Sequence, residues 1–141
     1  MSGVPRSSRE AGNAALELLL VAPVLLLLVA AVIGIGRVTS ARAALDGVAR
    51  EGARAAVTAP TAAAAIRLGE ESARQTALAY GMDPARLSIA VDTGGFVRGG
   101  TLVVAATYRV PLTDLPSFAL LPRAVSFTTR QAQPIDPYAS R

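Results

Sequence analysis

Residues 17–37 read ELLLVAPVLLLLVAAVIGIGR. Between Glu17 and Arg37 lie 19 residues, Leu18 to Gly36, without a charge. As a helix rising about 1.5 Å per residue they reach roughly 28 Å, close to the hydrocarbon thickness of a bilayer. Lipid offers no partner to a backbone N–H or C=O, so a segment placed there must be helical. The run is also longer than the usual apolar region of a signal peptide, about 7–15 residues, which favours an uncleaved anchor. A rival reading remains: Ala41-Arg42-Ala43 has the small-x-small form of a signal-peptidase site. Cleavage there would release a soluble protein beginning at Ala44. Inside the run, Pro23 removes one helical hydrogen bond and is expected to kink the helix. Ala30 and Gly34 form a small-x-x-x-small pair that permits close helix approach.

Glu17 stands at the edge of this apolar run, where an ionised carboxylate is costly unless paired or drawn to the headgroups. It either snorkels to the interface with no further role, or sets the axial register of assembled chains. A free α-ammonium on a neighbouring subunit would neutralise it.

Outward from the run, the N-terminal residues Met1–Ala11 are polar, broken by Gly3 and Pro5, and read as a flexible tail. Beyond Arg37 the pattern becomes amphipathic. Val38, Ala41, Leu45, Val48, Gly52 and Ala55 recur at threes and fours, while Arg42, Asp46, Arg50 and Arg54 recur at fours on another face. The apolar helix is therefore expected to continue into water as one rod to about Ala59, with Arg42–Asp46 and Asp46–Arg50 ion pairs along it. Ala30, Gly34, Val38, Ala41, Leu45, Val48 and Gly52 form a packing face of small residues. That face suits another chain's helix or the protein's own domain equally.

Ala59-Pro60-Thr61 ends the rod. A second helix is expected from Thr61 to Tyr80, with Ile66, Gly69, Ala73, Ala77 and Tyr80 on one side and Gly81 just past its end. Asp83-Pro84 reads as a capped turn. Three stretches then alternate with period two, around Leu87–Asp92, Thr101–Val110 and Ala124–Arg130, each with one apolar face. Gly94, Gly95, Gly99 and Gly100 make the first connection a hairpin loop. A small three-stranded antiparallel sheet covered by helices follows, an α+β architecture. After Gln133 two prolines predict a fraying tail.

Composition narrows the chemistry. The 141 residues contain no cysteine and no histidine, and all 14 basic residues are arginine. Disulfides, thiol chemistry, histidine triads and histidine metal sites are excluded. The net charge of +4 comes from scattered arginines with 4% aromatics, not from a basic patch with stacking residues, so no nucleic-acid partner is expected. The glycine pairs flanking Phe96-Val97-Arg98 precede a strand, not the helix N-terminus that a phosphate loop requires. Glu70-Glu71 diverge on a helix, and no spacing brings two carboxylates together. No enzyme, cofactor, metal or small-molecule substrate is expected.

The segment Gly12-Asn13-Ala14-Ala15-Leu16-Glu17, followed by Leu18–Ala22, Pro23 and a leucine-rich run, resembles a class III prepilin N-terminus. It is most similar to the TadE-like family of pseudopilins from tight-adherence (Flp) pilus systems. Gly36-Arg37, the stretch Ala49-Arg50-Glu51-Gly52-Ala53-Arg54-Ala55, Tyr108–Leu112 and the closing Ile135-Asp136-Pro137-Tyr138 extend the likeness. The resemblance implies cleavage by a prepilin peptidase between Gly12 and Asn13, and a role for Glu17 in processing or assembly. It implies a minor structural component of pilus assembly, partnered by other pilins or pseudopilins and by membrane lipid. It also implies a bacterial plasma-membrane protein with its N-terminus in the cytoplasm and its domain outside. Counting arginines near the span gives the opposite direction, with Arg6 and Arg9 before it and Arg37, Arg42, Arg50 and Arg54 after it. The family direction is adopted.

The expected organisation is a leader at 1–12, a transmembrane helix at 13–36, an extracytoplasmic α+β domain at 37–133 and a tail at 134–141. A single-span pseudopilin-like assembly component is the functional expectation. The alternatives are a membrane-anchored binding module without a pilus role, and the secreted protein cut after Ala43.

Overall fold

The computed structural model describes residues 8–113 and 123–136, with 8–15 as backbone only. The remainder of the expected leader, the proline-containing connection at 114–122 and the last residues of the expected tail lie outside the described residues.

One helix, α1 (Ser8–Val57), runs unbroken for 50 residues. At about 1.5 Å per residue that is about 75 Å. It begins earlier than expected, since Ser8–Gly12 were assigned to the leader. Between Pro5 and Pro23 Gly12 is the weakest helix former, and Arg9, Glu10 and Ala11 favour a helix. The helix continues through Pro23 and through the change from uniformly apolar to amphipathic sequence, so the expected rod is continuous. Its Leu16–Val57 portion contains a stretch long and apolar enough to cross a membrane.

Helix α2 (Ala62–Ala79) starts at Thr61, whose hydroxyl accepts the Ala64 N–H at 3.2 Å. At its other end Gly81 takes φ +70°. The Met82 N–H then donates to the Ala77 carbonyl at 2.9 Å and the Gly81 N–H to the Leu78 carbonyl at 2.9 Å. This double closure satisfies the last carbonyls and tucks Met82 into the core. The buried side of α2 is Ala65, Gly69, Ala73 and Ala77. Ile66 and Tyr80, expected on that side, are 39% and 58% exposed. The crossing with α1 is too close for large side chains, so the inward stripe is rotated onto alanine and glycine.

A 3₁₀ turn at Pro84–Arg86, capped by Asp83, leads into the sheet. Strands β1 (Leu87–Asp92), β2 (Thr101–Pro111) and β3 (Ala124–Pro134) lie in that order, antiparallel throughout. The central strand turns Leu102, Val104, Ala106, Tyr108 and Val110 inward, as the period-two pattern requires. One buried cluster joins Leu45 and Val48 of α1 to Ala73 and Ala77 of α2 and to the Tyr108 end of β2. A second joins Ala53 and Ala56 to Ala65, Leu102 and Val104. The β1–β2 connection is the expected hairpin loop. Gly94 is at φ +55°, and a Cβ there would strike the Thr101 carbonyl oxygen.

The chain after Gln133 corrects the sequence reading. Pro134 pairs with Thr101 inside the sheet. Ile135, expected in a fraying tail, is fully buried in the second cluster. Its N–H donates to the Gly100 carbonyl at 2.8 Å, and its carbonyl accepts the Gly99 N–H at 3.2 Å. An apolar side chain reaching an open end of the core outweighs the local effect of the two flanking prolines.

Candidate functional site

What its side chains meet divides α1 into two parts. Leu18, Leu19 and Leu20 are 72–74% exposed, and Ile35 is still 64% exposed. Ten residues on, Leu45 is 1% exposed, and Val48 and Ala49 are 0% exposed. Gly34, Val38 and Ala41 between them are half-buried. Leu45, Val48 and Gly52, expected on a face that another helix could share, are thus covered by the protein's own α2 and sheet. At Gly52 an added Cβ would stand 3.0 Å from the Gly69 carbonyl oxygen, so no other helix has access there. Ala30 is 2% exposed among exposed leucines and valines.

The other residues singled out by sequence lie on the N-terminal part. Gly12 and Asn13 are in the helical backbone of α1, and Pro23 lies within it. Glu17 is exposed at the start of the apolar surface. It stands five residues beyond Gly12, about 7.5 Å along the axis.

The expected ladder of Arg42, Asp46 and Arg50 is not what holds the polar face. The Arg42 guanidinium sits 4.5 Å from the centre of the Phe127 ring, and the Asp46 carboxylate accepts the Thr129 hydroxyl. Both side chains turn to β3 because the sheet lies against that side of the rod, and the short hydroxyl gives a carboxylate a better-defined partner than a flexible arginine. Glu51 pairs with Arg54 at 3.5 Å.

A cleft of about 460 Å³ opens where the apolar run ends. One wall is α1 from Gly36 to Ala44, with Arg37 and Ser40; the other walls are Tyr80–Met82, Arg86 and the Tyr108–Pro111 end of β2. Tyr80 is held by a glycine, since a Cβ on Gly47 would stand 3.1 Å from its ring. The Tyr108 hydroxyl accepts the Asp83 N–H at 3.2 Å. Asp83 in turn accepts the Ala85 N–H at 3.0 Å and pairs with the Arg86 Nε at 3.2 Å. Sequence reasoning missed this cleft. Its residues come from four separate segments, and the only local sign was a charge, Arg37, directly after the uncharged run. Among the described residues no group of three or more His, Cys, Asp or Glu side chains could hold a metal ion.

No curated protein and no solved structure matches the chain. The model of the TadE-like protein family matches residues 12–54, which is α1 from Gly12, through the exposed apolar surface, to the residues clamped by α2 and the sheet. Over that stretch the chain is similar to the TadE-like protein family.

Proposed function

We propose that the protein is a single-span, pseudopilin-like component of pilus assembly or envelope secretion, acting as a structural part and not as an enzyme. The observation that carries this reading is the family match at 12–54 falling on a helix whose apolar half is bare and whose other half is clamped. The bare half, including Leu18–Leu20, presents uncharged surface to lipid or to the helices of neighbouring pilins. The clamped half ties that anchor rigidly to the α+β domain, so a subunit drawn into an assembly carries its domain in a fixed orientation.

In this reading Gly12–Asn13 is the processing site, cut by a prepilin peptidase with the N-terminus facing the cytoplasm. The domain lies on the outer side of a bacterial plasma membrane. Glu17 supplies axial register by pairing with the new α-ammonium of a neighbouring Asn13. Pro23 softens the helix for docking by removing one backbone bond.

Sequencing the mature N-terminus tests the reading. Asn13 as first residue supports a processed pseudopilin. Ala44 as first residue means that the apolar helix is discarded and defeats both the anchor and the assembly role. Met1 or Ser2 retains the anchor and removes peptidase processing from the account.

A further inference from the structure

We infer that the cleft at the foot of the apolar helix binds the phosphate-bearing headgroup of an anionic phospholipid, seating the domain on the membrane surface. The inference rests on the anchor reading above and adds a ligand to it.

Position is the first argument. If Leu18–Gly36 crosses the hydrocarbon, Gly36 lies at its edge. The headgroup layer adds about 5–8 Å on each side of a bilayer. The α1 wall of the cleft, Gly36 to Ala44, covers about 12 Å of helix axis. The part of the cleft next to Gly36 therefore lies within the headgroup layer, and the part next to Ala44 opens above it into water. Because α1 has no break between the apolar surface and this wall, the cleft keeps a fixed place directly beyond the apolar surface.

Chemistry is the second. Arg37 and Arg86 both line the cleft, together with Ser40. The Arg86 bond to Asp83 uses Nε and leaves its two Nη atoms for an anion among the described residues. A guanidinium offers paired N–H donors that match the spacing of phosphate oxygens. Tyr80 is 58% exposed at the rim, and an amphipathic ring with a polar tip is the side chain that settles at headgroup depth. Ala41, Ala44 and Val110 line the remainder, which suits the glycerol and upper acyl atoms of a lipid better than a free phosphate in water.

The test uses the full chain in lipid nanodiscs of phosphatidylcholine with a minor fraction of phosphatidylglycerol, the co-purifying lipid being counted by mass spectrometry. Phosphatidylglycerol should be enriched on the protein over its share in the disc. Arg37→Ala and Arg86→Ala should each lower that enrichment about fivefold, the effect of one arginine near an anionic surface. Arg86→Lys should keep most of it, and Arg98→Ala, in the distant β1–β2 hairpin, all of it. Unchanged melting of the variants separates loss of lipid from loss of fold. Absence of enrichment, or an Arg98→Ala loss equal to that of Arg86→Ala, overturns the proposal. So does glycerol phosphate in solution competing as well as the lipid, which would assign the cleft to a soluble anion. A chain that does not enter the disc overturns the anchor reading, whereas one that enters without enrichment overturns the cleft alone.

Discussion

Gly52 of α1 and Gly69 of α2 face each other so closely that a Cβ on either would crowd the backbone of the other. A Cβ on Gly52 would stand 3.0 Å from the Gly69 carbonyl oxygen, and a Cβ on Gly69 would stand 3.2 Å from the Gly52 carbonyl oxygen. The flanking contact is made by Ser72, whose hydroxyl donates to the Glu51 carbonyl at 3.3 Å. This crossing is what turns the end of a long rod into part of a folded domain.

Gly52→Ala is therefore expected to destabilise the domain. Alanine in a helix interior is intrinsically favoured over glycine by roughly 0.5–1 kcal/mol. Overpacking typically costs about 1–3 kcal/mol, and here the obstacles are the Ala73 Cβ and the Gly69 carbonyl oxygen, neither of which can rotate aside. The net loss should be about 1–2 kcal/mol. Gly36→Ala is the control, because nothing lies within 4 Å of a Cβ there, and it should be neutral or stabilising. Thermal unfolding of the detergent-solubilised chain, followed by far-UV circular dichroism, measures both. A melting temperature unchanged by Gly52→Ala would mean that the two helices separate more easily than their packing implies.

Ile135→Ala should cost about 2–5 kcal/mol, the range for truncating a buried aliphatic side chain. A true tail residue would cost nothing. Ile135 is 0% exposed and exchanges two backbone hydrogen bonds with Gly99 and Gly100, so it fastens the end of β3 to the β1–β2 hairpin. Ending the chain at Pro134 should lower the melting temperature more than the substitution does, because it also removes these two backbone bonds.

The contrast between Ile135 and the strands shows what a sequence discloses. The inward residues of β2 were legible because alternation is a local property of a strand, and one residue of slip would reverse it. Gly81 and Asp83 were legible because caps and left-handed positions are chemical requirements of the backbone itself. Ile135 was hidden because its partner is a core opening formed by distant segments. Ile66 was misplaced for a related reason. Hydrophobicity favours it over Ala65 as a core residue, and only the closeness of Gly52 to Gly69 reverses the choice. The cleft between Arg37 and Arg86 had no local signature at all. Gly12, Asn13 and Glu17, by contrast, form one short contiguous pattern, which is why they could be singled out without a fold.

Asp46 and Thr129 join α1 to β3 through one carboxylate–hydroxyl bond. Asp46 is half-buried, so removing its donor leaves a carboxylate partly out of water without a partner. Hydrogen bonds to charged groups contribute about 1.5–3 kcal/mol, with the upper end for buried ones. Thr129→Val should therefore destabilise the domain by about 1–2 kcal/mol. Asp46→Asn, which retains an acceptor, should cost less. In a double-mutant cycle the pair Asp46→Ala and Thr129→Val should fall short of additivity, since each change removes the same bond. Strict additivity would mean that the two side chains are not coupled.

Glu17 is exposed at the mouth of a surface that includes leucines 72–74% exposed, and within this chain it lies at the opposite end of α1 from the folded domain. Glu17→Ala should consequently leave the melting temperature unchanged. It should leave membrane insertion intact or improve it, because a carboxylate near the hydrocarbon opposes insertion. Assembly should respond in the opposite direction. Removing one partner of a desolvated ion pair costs about 3–5 kcal/mol, a factor of at least roughly a hundred in each association step. Because that loss repeats at every subunit contact, the variant should be present in the membrane fraction and missing from sheared surface filaments. Glu17→Gln should fail similarly, since it keeps the shape and loses the charge that an α-ammonium requires. A normal amount of either variant in sheared filaments would show that register is set elsewhere on the helix, and that Glu17 does no more than rest among the headgroups.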